Sequence, residues 1–151
     1  ILLILFLGLL ASCQPENRVF SDNQELSPDI EWLKTDKKSF TVNIEDAAAS
    51  YDVKSSFRFI TGYPYQNPTV QLTIKSPSGE EAVSDHVFVI RNDEGGYIGE
   101  PGLDIWDSEH SLMAGHKFTE AGSYTFTFEH TMAVEPLTHV MNIGLIVDKV
   151  E

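Results

Sequence analysis

The residues best placed to do chemistry close the opening stretch: Leu10-Ala11-Ser12-Cys13. A branched residue, two small ones and a cysteine make a lipobox. Small side chains let extended backbone enter a signal peptidase just before the cleaved bond, and the thiol is then free to take a diacylglyceryl thioether. Cys13 is the only cysteine, so a lipid there leaves nothing for a disulfide or for thiol chemistry. The preceding run, Ile1–Leu10, is aliphatic or Phe except for Gly8. It matches the apolar core of a signal peptide and falls short of the ~20 residues of a membrane span. The plainer alternative is a buried strand or core helix with an incidental cysteine, but no polar residue marks a solvent face in this run. With no initiating Met and no basic flank, the sequence is read as starting inside a leader. The expected division is a signal peptide at 1–12, a lipidated Cys13 and tether at 13–28, and a folded domain at 29–151. Two or more acyl chains, at ~0.8 kcal/mol per buried CH₂, hold a protein on a membrane almost permanently. This chemistry belongs to a prokaryotic cell envelope.

Other reactive groups are scattered. The five histidines, His86, His110, His116, His130 and His139, form neither H-E-x-x-H nor H-x-x-x-H, the spacings that put two imidazoles on one helical face. No metal and no cofactor is expected. Nucleophile elbows and phosphate-binding loops are absent from the sequence, so no catalytic residue is named. Asn92-Asp93-Glu94 with Asp104 and Asp107 offer hard oxygens for calcium, although a hairpin turn followed by solvated acids is the simpler reading. Tyr63, Tyr65 and Trp106 fall in or beside loops. They are a candidate binding patch for a glycan or peptide, and otherwise lids over the open end of a core.

The elements that must position these residues read as β-structure. Phe40, Val42 and Ile44 alternate with Thr41, Asn43 and Glu45, and Val70, Leu72 and Ile74 alternate likewise. Tyr124, Phe126 and Phe128 give the clearest strand, whose burial contributes ~5–9 kcal/mol before entropy is subtracted. Asp52–Thr61 reads as a strand whose register needs a bulge near Ser55. Val87–Ile90 is a continuous apolar run suited to a strand covered on both faces, and Met141, Ile143, Leu145 and Val147 suit a closing strand. Val19-Phe20 reads as a short edge strand within the tether, and Trp32 as a core residue. Tyr97–Phe118 reads as two short irregular strands, with a helix from Asp107 or Ser108 to Gly115 as the alternative. About eight strands with no convincing helix predict an all-β antiparallel sandwich, jelly-roll-like or immunoglobulin-like. The formal charge of −13 argues against nucleic acid and anionic membrane surfaces as partners.

Several short motifs, in order, resemble the GldH gliding-motility lipoproteins of Bacteroidetes. Phe118–Met132, then Pro136-Leu137 and Asn142–Val147, is similar to the family's C-terminal half. Asn17-Arg18-Val19-Phe20, Tyr63–Asn67, Pro77-Ser78-Gly79, and Ile98-Gly99 leading to Gly102–Ile105 are similar as well. The chain departs from the family where Gln-x-Met-Arg is replaced by His130-Thr131-Met132-Ala133, and where Ser108–Ser111 stands in place of a lysine-rich stretch. The resemblance implies a non-enzymatic envelope lipoprotein of the outer membrane, needed for gliding. Its implied partners are envelope proteins of the gliding machinery and the linked type IX secretion system. A glycan-binding surface lipoprotein using Tyr63, Tyr65 and Trp106 is the alternative, and a hydrolase on a jelly-roll scaffold is a third reading without an acid pair to carry it.

Overall fold

In the sequence Tyr124–His130, every second residue is an aromatic or a histidine, and a pleated strand sends such residues to one face. Tyr124, Phe126, Phe128 and His130 are all buried on that face. The same alternation builds Lys38–Ile44, where Phe40, Val42 and Ile44 are buried between exposed neighbours. It also builds Ser50–Ile60, where Tyr51, Val53, Ser55, Phe57 and Phe59 point inward without interruption.

The computed structural model describes residues 13–150. Its strands are β1 (Arg18–Glu25), β2 (Glu31–Trp32), β3 (Lys38–Ile44), β4 (Ser50–Ile60), β5 (Thr69–Lys75), β6 (Glu81–Val87), β7 (Glu100–Pro101), β8 (Ile105–His116), β9 (Gly122–His130), β10 (Leu137–Thr138) and β11 (Val140–Val150). There is no helix among the described residues. Eight strands are long, as expected; β2, β7 and β10 have two residues each.

Pairing is nested: β1 with β11, β2 with β10, β3 with β9, β4 with β8 and β5 with β6, all antiparallel. The turn at Ser76–Gly79, closed by Gly79 N–H donating to Ser76 O at 3.0 Å, is the tip of this nest. Rolled up, the ribbon gives a five-stranded sheet in the order β1-β11-β4-β8-β7 and a four-stranded sheet in the order β3-β9-β5-β6. That order is a jelly roll, which selects it over the immunoglobulin-like alternative. The inner faces of the two sheets supply one continuous core. The β2–β10 ribbon closes one end, where Trp32 is 0% exposed and its Nε1 donates to Asp36 O at 2.7 Å.

Several sequence expectations are corrected. The folded part reaches back to Arg18, because β1 runs eight residues and pairs with β11 from Arg18↔Asp148 to Glu25↔Asn142. No bulge lies at Ser55. Ser55 faces inward, and its hydroxyl donates to Gly144 O at 2.9 Å, so a small polar residue occupies a core position without breaking the period. The irregularity belongs to the partner β8, which slips twice against β4, between Tyr51 and Val53 and again before Lys54. Two extra residues and a polar inward face (Ser108, His110) hid β8, which is one twelve-residue strand. Val87–Ile90 is not a strand covered on both faces. Val87 and Val89 are exposed, Phe88 and Ile90 are buried, and the segment is held by Pro68 O and by Asn67 Oδ1, which accepts from Ile90 and Arg91 N–H at 3.0 and 3.1 Å. At the start of β11, an irregularity between Val140 and Asn142 gives the inward place to Val140 and leaves Met141 half-buried.

Candidate functional site

Cys13 is exposed and free at the head of the described chain. The rest of the stretch expected to be a lipobox and signal peptide, at 1–12, lies outside the described residues. The segment between Cys13 and β1 is short and tied down quickly. Arg18 N–H donates to Pro15 O at 3.0 Å, Lys149 N–H donates to Asn17 O at 2.8 Å, and Asn17 Nδ2 donates to Lys149 O at 3.1 Å. Arg18 then makes a two-pronged ion pair with Asp148, Nε to Oδ1 at 2.9 Å and Nη2 to Oδ2 at 3.2 Å. The carboxylate raises the Arg18 pKa, chiefly through that hydrogen bond. These contacts clamp the first strand to the last, so the chain leaves the sandwich at a fixed edge.

Tyr63, Tyr65 and Trp106 are brought to one end of the sandwich, but as parts of its closure. Tyr63 is 0% exposed; its hydroxyl donates to Gln66 O at 3.0 Å, and burial pushes its pKa well above the ordinary tyrosine value. Tyr65 packs edge-on against it at 5.4 Å and pairs its hydroxyl with Thr138 Oγ1 at 2.9 Å. Trp106 reaches the same cluster through Tyr97 and Phe59, each step 5.3 Å between ring centres, and its Nε1 donates to Thr61 Oγ1 at 3.2 Å. Arg91 lies over the Tyr97 ring at 4.7 Å, and its Nη2 donates to Tyr63 O. The polar tips of the three aromatics are all engaged, and Tyr63 has no surface to give a ligand. Tyr63 therefore drops out of the candidate patch, while Tyr65 and Trp106 stay half-buried at this end of the sandwich.

Of the residues considered for calcium, Asn92 and Asp107 are engaged in other ways. Asn92 Oδ1 accepts from Glu94 and Gly96 N–H at 3.0 and 2.8 Å, which shapes the turn. Asp107 is gripped by Arg58, Nε to Oδ1 at 2.7 Å and Nη2 to Oδ2 at 2.9 Å. Among the described residues no group of three or more His, Cys, Asp or Glu side chains is placed to hold a metal ion.

Of the histidines, His110 lies flat on Phe88, 4.4 Å between ring centres and 3° between planes, with Nε2 2.8 Å from Ser108 Oγ. Burial pushes its pKa down to about 4. His130 is buried beside Trp32, with ring centres 5.5 Å apart. Burial lowers its pKa against an opposing pull from Glu135, whose Oε2 lies 3.7 Å from Nε2. His86 pairs Nε2 with Ser84 Oγ at 2.8 Å, and His139 pairs Nδ1 with Thr138 Oγ1 at 2.9 Å.

Sequence reasoning missed a polar depression of about 570 Å³ beside the outer face of the five-stranded sheet. Cross-strand rows place Asn142, Arg58, Asp107 and Glu100 side by side, with Asn23, Gly144, Ser56 and Glu109 in the row above. The signal was the polar half of each alternation, which reads in sequence only as a solvated face.

The chain matches the family model described as GldH lipoprotein over residues 18–147. It is 24% identical to the gliding motility lipoprotein GldH of Flavobacterium johnsoniae, covering 98% of this chain and 94% of that protein. It is 21% identical to the gliding motility lipoprotein GldH homolog of Christiangramia forsetii, over 99% of this chain and 94% of that one. Among solved structures it is similar to a family GH115 4-O-methyl-α-glucuronidase with specificity for decorated arabinogalactans. The TM-score is 0.49 and the identity 11%, over 91% of this chain and 18% of the enzyme. A second likeness is to TmCBM61 in complex with β-1,4-galactotriose, with a TM-score of 0.30 and 13% identity over 85% of this chain and 68% of that one. Neither likeness bears on the chemistry of this chain. The family match spans the jelly roll from its first strand into its last, and this chain belongs to the GldH lipoprotein family.

Proposed function

We propose that this chain is a non-enzymatic lipoprotein of the outer membrane, anchored through lipid on Cys13. It serves the gliding apparatus and the associated type IX secretion of adhesins by binding other envelope proteins. The observation that carries the reading is the family match over residues 18–147, with an exposed cysteine directly upstream of it. Four residues lie between Cys13 and β1, so Arg18 is at most ~18 Å from Cys13 at full extension. A lipid on Cys13 therefore holds the β1–β11 edge close to the bilayer. The ion pairs of Arg58 and Arg18 occupy the carboxylates of Asp107 and Asp148, which suits a binding surface better than acid–base catalysis.

A clean deletion strain complemented with wild-type or Cys13→Ala protein tests this. The deletion is expected to abolish colony spreading and reduce surface adhesin. Wild-type protein restores both, and Cys13→Ala protein stays unprocessed and restores neither. Normal spreading and normal adhesin export in the deletion strain would overturn the reading.

A further inference from the structure

The four-stranded sheet has β6 at one edge, and apart from its acids this edge lacks the features by which sheets usually blunt their borders. It is seven residues long and pairs with β5 in unbroken register from Thr69↔Val87 to Lys75↔Glu81. It contains no Pro, no Lys and no bulge. Phe88 N–H donates to Pro68 O and Ser76 N–H to Glu80 O, both at 2.8 Å. The even-numbered residues therefore bond β5, and the N–H and C=O of Glu81, Val83, Asp85 and Val87 point outward. Those groups have no partner among the described residues.

Beside this edge the sandwich is open. The inward side chains of β6 are small or polar (Ala82, Ser84, His86), opposite Leu112 and Met113 of β8. Between them lies a mainly apolar mouth of about 390 Å³, floored by Ile74, Phe118 and Tyr124. A core that large side chains fill elsewhere is left unfilled here. The outward side of β6 carries Val83 and Val87, both more than half exposed, alternating with Glu81 and Asp85. From Ser78 to Val87 there are three acids and no Lys or Arg, with His86 the one basic side chain; Lys117 stands on the far wall of the mouth.

We propose that β6 is a docking edge for an extended segment of a partner protein in which apolar residues alternate with Lys or Arg. The segment adds as a fifth strand. Its apolar side chains enter the mouth beside Ala82 and Ser84, and its basic ones lie against Glu81 and Asp85. Charge selects this occupant over a second copy, because antiparallel pairing of two β6 edges would bring four carboxylates together. The edge of β8 is the poorer template, since its two register slips twist it away. The inference rests on the proposed role as an interaction module only in making the partner a protein.

The test uses the full chain in detergent micelles and two labelled nine-residue peptides, one alternating Val with Lys and one alternating Val with Glu. The Lys peptide is expected to bind at least about tenfold more tightly, to weaken several-fold between 50 and 500 mM salt, and to protect the amides of Val83, Asp85 and Val87 from exchange. Val83→Pro removes an outward N–H while sparing the β5 ladder, and is expected to weaken binding about tenfold or more. Should that variant fold poorly, E81K with D85K is read instead, and is expected to reverse the preference between peptides. Equal binding of the two peptides, a preference unchanged by charge reversal, or concentration-dependent protection of the same amides without peptide would overturn the proposal. These outcomes are independent of spreading in the deletion strain, so either reading can fail alone.

Discussion

With its ring stacked on Phe88 and its pKa pushed down to about 4, His110 makes the fold's stability depend on pH. In the unfolded chain a histidine titrates near 6.5. The unfolded state therefore takes up the proton first, and stability falls as pH drops from about 6.5 toward 4. His86, His116 and His130 shift in the same direction, each chiefly by burial. His110 alone is expected to account for about 1–3 kcal/mol across that range, discounted for partial solvent screening. Urea unfolding at pH 7.5 and pH 5 measures this. His110→Phe is expected to lose less stability at pH 5 than the wild type, and an unchanged pH dependence would contradict it. Nothing in the sequence around His110 distinguishes it from an ordinary surface histidine. Its environment comes from Phe88, which a loop brings across the sandwich.

Strands β3, β5 and β9 were legible because each buries one face against the core and shows the other to water, so burial is written as a period of two. β8 was not, because Ser108 and His110 face inward and two extra residues break the phase. β6 was not, because both of its faces are largely exposed and neither needs apolar residues. Gly144 tests how β11 is seated between its neighbours. A Cβ there would collide with Ser56 Oγ, and would lie 2.8 Å from Asp22 O and 3.0 Å from Asn23 Cβ, so both flanking strands would have to shift. Gly144→Ala is expected to cost about 1–3 kcal/mol and to speed amide exchange in β1 before β3 or β9. A fully wild-type denaturation midpoint would refute this close approach.

At the scale of the molecule, the nested pairing joins residues far apart in the chain; Arg18 and Asp148, 130 residues apart, share an ion pair. Closing such loops costs entropy before the contacts form. Refolding from denaturant is expected to take milliseconds to seconds, followed by stopped-flow fluorescence of Trp32 and Trp106. Complete refolding in microseconds would mean that local contacts dominate instead. The same topology carries the site assignments. Tyr63, Tyr65 and Trp106 look alike from their loop positions, yet the jelly roll draws Tyr63 wholly into the core and leaves the other two half-buried.

Read alone, the sequence determined the all-β class, most strand positions, the single cysteine behind an apolar run and the resemblance to a family, since alternation, turn residues and short motifs are local properties of the chain. The tertiary structure alone decided the strand order, the burial of Tyr63, the neutral state of His110 and the unpaired edge at β6. Each of these depends on which distant segment lies alongside, and that neighbour is chosen by the packing of the whole chain.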